Sequence, residues 1–137
     1  MAISRPLILD TSILVAAERG ELELIDVIGH DDPAIAAITA MELLVGVERS
    51  KAPQRDERAL LTEDYCVSFP IQDYTLKVAR MHALLHHHVG KIGRPRGPFD
   101  LIFAATAGAT GRTLLTADVK AGFDKLPGVT AEVVQVG

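Results

Sequence analysis

Four carboxylates stand where they could act together: Asp10, Glu42, Asp100 and Asp118. Asp10 ends the apolar run Leu7-Ile8-Leu9, Glu42 opens a helical pattern after a second apolar run, Asp100 opens another after a Gly/Pro-rich stretch, and Asp118 follows Leu114-Leu115. Two unit charges about 4 Å apart repel by roughly 4 kcal/mol at an effective dielectric near 20, so a cluster of such groups calls for a cation. An all-oxygen ligand set suits Mg²⁺ or Mn²⁺. Ions of that kind clamp a phosphodiester, activate a water and stabilise the leaving oxygen.

Each acid also has a plainer role open to it. Asp10, before Thr11 and Ser12, is suited to capping the next helix. Glu42 stands three residues after Thr39, the spacing of a capping box. Asp100, two residues after Pro98, suits the dipole of a first helical turn, and Asp118 is placed to cap a short segment from Val119. The two kinds of role are compatible, and the coincidence of positions favours a shared site.

The elements that must position these groups alternate in type. Strands are expected at Leu7–Leu9, Ala34–Ile38, Val67–Phe69, Thr113–Leu115 and from Glu132. Helices are expected after Asp10 to Arg19, around Leu22–Ile28, from Thr39 to about Ser50, over Gln54–Asp64, Asp73–His88 and Phe99–Thr110. Gly90–Pro98 reads as a loop. Strands alternating with helices imply parallel pairing with helices on both faces. The expected fold class is α/β, a three-layer α/β/α domain over residues 1–137 with a central, mostly parallel sheet. In such sheets ligands gather outside the carboxyl ends of the strands, where all four acids are expected.

Composition sets bounds. With 48% apolar and 23% charged residues, the 137-residue chain has the makeup of one globular domain. No apolar run approaches the roughly 20 residues needed to cross a bilayer, no secretory leader is evident, and Cys66 stands alone. A cytoplasmic protein is expected. The net charge of −4 argues against a nucleic-acid partner only until the four acids are set aside, which leaves 14 acids against 14 bases.

Other candidates are weaker. Lys91, Arg94, Arg96 and Arg112 flank the expected site in sequence and are candidates for holding RNA phosphates, or are simply solvated. His82 and His86, four residues apart and followed by His87 and His88, invite a zinc reading, against which stands the welcome that a helix carboxyl end gives histidine. No phosphate-binding glycine loop is present. Ser12 has no evident histidine partner and stands where a haloacid-dehalogenase-type phosphatase would need a second aspartate.

The stretches Leu7-Ile-Leu-Asp-Thr-Ser-Ile-Leu, Ile38-Thr-Ala-Met-Glu-Leu-Leu-Val-Gly-Val-Glu-Arg-Ser, Pro98-Phe-Asp-Leu-Ile-Phe-Ala-Ala-Thr-Ala and Leu114-Leu-Thr-Ala-Asp-Val-Lys-Ala-Gly-Phe resemble, in order, the PIN-domain toxins called VapC. That resemblance implies an endoribonuclease dependent on Mg²⁺ or Mn²⁺, with Asp10, Glu42, Asp100 and Asp118 as metal-holding and catalytic acids. Thr11, Ser12 and Thr116 match hydroxyl positions bordering the site. It further implies a homodimer, and inhibition by a VapB-type antitoxin docked over the cleft. Phe99 departs from the small or polar residue that many relatives carry before the aspartate. A catalytically silent RNA- or antitoxin-binding module on the same fold is the alternative, and a phosphatase acting on small substrates a third reading.

Overall fold

Leu7, Ile8 and Leu9 are fully buried, and they form most of the central strand of the computed structural model, which describes residues 3–92 and 97–137. This strand, β1 (Pro6–Leu9), pairs in parallel with β2 (Asp32–Ala36) on one side and β4 (Thr113–Thr116) on the other. β3 (Ile71–Gln72) and β5 (Ala131–Val133) complete a sheet ordered β3-β2-β1-β4-β5, with every pairing parallel. A strand covered on both faces has no polar side, which is why β1 reads as an unbroken apolar run.

The pleat sends alternate residues to opposite layers. Ile8 and Leu114 pack with Leu85 and Phe103 of α5 (Leu76–Ile92) and α6 (Pro98–Thr110). Leu7, Leu9 and Leu115 face the other way, toward α1 (Thr11–Glu18), α3 (Ala37–Arg49) and α4 (Gln54–Ser68). The short α2 (Leu24–Ile28) precedes β2, and two 3-10 turns, Val119–Ala121 and Phe123–Lys125, link β4 to β5. At about 1.5–3 kcal/mol for each fully buried aliphatic side chain, β1 alone anchors both layers. No helix among the described residues is long and apolar enough to cross a membrane.

Helix ends follow local chemistry in α6, which starts at Pro98 and stops at Gly111 in the left-handed region, φ 65°. No atom within 4 Å would meet a Cβ at Gly111, so only backbone strain opposes a side chain. Gly111→Ala is expected to lose about 1–2 kcal/mol, read as a lower denaturation midpoint at unchanged slope.

Several expected boundaries move. The second strand ends at Ala36, and α3 begins at Ala37 rather than at Thr39. The expected strand Val67–Phe69 is not one: α4 runs on through Ser68, leaving Val67 84% exposed, and the strand is Ile71–Gln72. α5 begins at Leu76 and continues to Ile92, so Gly90 and Lys91 are helical. Arg94 and Arg96 lie outside the described residues.

Candidate active site

Asp10 is the first residue beyond β1, and its backbone amide extends the ladder by donating to the Leu115 carbonyl at 3.0 Å. Its side chain caps α1, with Oδ1 accepting from the Ile13 amide at 3.4 Å and from the Ser12 hydroxyl at 2.5 Å. The residue is only 4% exposed, and none of the ion pairs among the described residues includes it. Burial pushes its carboxyl above the ordinary carboxylate range, against the lowering effect of hydrogen bonds from Ser12, Thr116 and Ile13.

The two hydroxyls after Asp10 reach in different directions. Thr11 donates its Oγ1 proton to Glu42 Oε1 at 2.6 Å, tying the start of α1 to α3. Ser12 Oγ accepts from the Ala117 amide at 2.9 Å and lies 3.3 Å from Thr116 Oγ1, tying the same turn to the end of β4. Thr116 Oγ1 in turn accepts from the Asp118 amide at 3.0 Å. Asp118 Oδ1 accepts from the Lys120 amide at 3.0 Å, so Asp118 does cap the turn that follows it.

Asp100 stands in the first turn of α6, with its carboxylate beside Gly97, where a Cβ would lie 3.6 Å from Oδ2. Ile38, one helical turn before Glu42, and Ile102, two residues after Asp100, line one apolar cavity of about 470 Å³. The amino ends of α3 and α6 are therefore neighbours at the carboxyl edge of the sheet.

These acids share one edge but do not converge on a point. Among the described residues, no three His, Cys, Asp or Glu side chains gather closely enough to hold one ion. Asp10, Glu42 and Asp118 are connected instead through Thr11, Ser12 and Thr116. The donor set is all oxygen, and its most buried member carries a charge with no cationic partner among the described ion pairs. Hard divalent ions fit such a set; soft or nitrogen-seeking metals do not.

Two sequence-based expectations need correction. Glu42 forms no capping box with Thr39: α3 starts two residues earlier, Ala36 is its cap position, and Thr39 Oγ1 is buried without a hydrogen-bond partner among the described residues. Arg112 is not brought to the acidic edge. It donates to the carbonyls of Leu7 and Asp32 at 3.0 Å each and pairs with the Asp32 carboxylate, at the amino ends of the strands. The histidines form no three-ligand metal group among the described residues. His82 instead bonds the Tyr74 hydroxyl at 2.8 Å, and burial, then the charge of His86, holds it below the usual range.

One residue was missed. Arg58 of α4 lines a cavity of about 350 Å³ together with Thr11 and Glu42, held there by Glu18 Oε1 and Ser50 Oγ, each at 2.9 Å. Nothing in the charged run Gln54-Arg-Asp-Glu-Arg distinguishes the arginine that lines this cavity.

A family model described as PIN domain matches residues 7–129. A tRNA(fMet)-specific endonuclease VapC of Salmonella typhimurium is 31% identical over 98 residues, 72% of either chain. A ribonuclease VapC of Rickettsia bellii is 31% identical over 122 residues, 88% of this chain and 90% of its own. Among solved structures, DNA-bound VapBC from Salmonella typhimurium superposes with a TM-score of 0.81 at 26% identity, covering 94% of this chain and 98% of that one. VapBC2 from Rickettsia felis, bound to a promoter DNA fragment, gives 0.79 at 25% identity over the same shares.

Proposed function

The chain belongs to the PIN domain family, and from that premise we propose that it is an endoribonuclease dependent on Mg²⁺ or Mn²⁺, the toxin of a type II pair restrained by a VapB-type antitoxin. The observation that carries the catalytic reading is Asp10: a buried carboxylate without a cationic partner among the described ion pairs, joined through adjacent hydroxyls to a second and a third acid-bearing element. A group so placed costs stability unless its charge is used. Names borne by relatives support the substrate class, two of them ribonucleases acting on RNA, and solved VapBC complexes support an antitoxin partner.

In this reading Asp10, Glu42, Asp100 and Asp118 would hold the divalent ion, which would acidify a water and offset charge on the scissile phosphate. Ser12 fixes the Asp10 carboxylate by donating to Oδ1, and is itself fixed by the Ala117 amide. Thr11 does the same for Glu42.

Incubation with single-stranded RNA tests this directly. Cleavage is expected with Mg²⁺ or Mn²⁺, none in EDTA, and full recovery when the metal is restored. Cleavage that persists in EDTA would exclude the metal-held site, and RNA left intact under every metal condition would exclude the enzyme.

A further inference from the structure

The 26 residues from Tyr74 to Phe99 contain none of the chain's 18 acids and five of its 14 cations, so an acidic protein has one strongly basic segment. Most of it is α5, and the described cations there are not scattered. Lys77, Arg80 and Lys91, with Leu84 and His87 between the last two, follow one another at intervals of three and four, which puts all five on a single face, and all five are exposed. The opposite face is buried through Val78, Leu85 and Val89. At 1.5 Å per residue the stripe is about 21 Å long.

The cations of this stripe are not committed to acids. Arg5, Arg55, Arg58 and Arg112 each sit in an ion pair, whereas none of the ion pairs among the described residues involves Lys77, Arg80 or Lys91. The stripe also leads to the site. Met81, early in α5, packs against Gly108, late in α6, where a Cβ would lie 2.8 Å from the Met81 methyl. The two helices therefore run antiparallel, and Lys91 lies at the end where α6 begins and Asp100 stands.

We propose that the Lys77–Arg80–His87–Lys91 face of α5 is a track for the phosphate backbone of a single-stranded RNA, holding the length of strand that runs on from the acidic edge. This rests on the ribonuclease reading above. An unpaired cation row matches a polyanion, and Leu84 and the His87 ring give bases an apolar surface between the cations. A second copy of the chain is a poor occupant, because it would set like charges against each other.

The test is RNA binding in EDTA, measured by fluorescence anisotropy with a labelled 20-nucleotide single strand over a range of salt concentrations. Each phosphate contact on a single strand contributes about 0.7 to the slope of log K against log salt. The triple variant Lys77→Ala/Arg80→Ala/Lys91→Ala is expected to lose about 2 from that slope and to bind at least roughly tenfold more weakly. A control with equal charge loss on other exposed faces, Arg49→Ala/Lys51→Ala/Lys125→Ala, is expected to keep its slope. An unchanged slope in the stripe variant, or equal losses in both variants, overturns the proposal. So does a change from dimer to monomer in the stripe variant with RNA affinity intact, which would assign the face to a second copy. Wild-type cleavage with Mg²⁺, run beside these titrations, keeps the two readings apart: its absence would sink the enzyme, not the track.

Discussion

Asp10→Asn is expected to abolish RNA cleavage while leaving the chain folded and no less stable than before. The side chain keeps its shape and an oxygen for the Ile13 amide, so the cap on α1 survives. What disappears is the charge proposed to hold the ion. Losing about 4 kcal/mol of transition-state stabilisation is a factor of about a thousand, at 1.36 kcal/mol per decade. Stability should move the other way. The folded chain holds the Asp10 proton more tightly than the unfolded chain, because burial raises its pKa. Wild-type stability in EDTA therefore carries a contribution from Asp10 that falls as pH rises from the ordinary carboxylate value through the raised one. The asparagine variant lacks that fall, so its advantage in thermal midpoint should open toward neutral pH and close in acid. A variant that cuts RNA at the wild-type rate would remove Asp10 from the mechanism; one that unfolds would make it a cap and nothing more.

Ser12→Ala should have the second largest effect, on a residue that in this mechanism touches no substrate. The hydroxyl donates to Asp10, accepts from the Ala117 amide and lies within reach of Thr116, so its removal leaves a buried carboxylate short of a donor and a backbone amide short of an acceptor. The expected cost to folding is about 1–3 kcal/mol. Turnover should fall roughly 10- to 100-fold, the usual loss when a group that orients a metal ligand is removed. A fall in kcat at nearly constant KM, measured where the variant is fully folded and recovered in Ser12→Thr, is the signature of positioning. A loss of stability alone, with kcat intact, would reduce Ser12 to a structural bond between α1 and β4.

Local chemistry was legible wherever a feature is made by neighbours in sequence. The apolar run before Asp10 and the end of α6 at Thr110, just before Gly111, each work within one turn, and each stands where expected. Features that need a distant partner were misplaced. The two-residue strand β3 exists only because Ile71 and Gln72 find Ile35 and Ala36 beside them. Val67, apolar yet exposed, mimicked a strand while belonging to a helix. Thr39 and Glu42 have capping-box spacing, but the fold starts α3 two residues earlier and gives Glu42 to Thr11 instead.

The amino-acid sequence by itself determined the layers of this protein and which acids stand at strand ends and helix starts, because hydrophobic period, caps and strand-end carboxylates are written in runs of a few residues. Only the tertiary structure decided how those acids are joined and where the cations flanking them in sequence are carried. Arg112 and Lys91 read alike along the chain, yet β4 carries one to the amino edge of the sheet and α5 carries the other toward the start of α6. The reason is physical: a side chain's partners are set by which strands lie side by side, and that order is fixed by burying both faces of one sheet at once.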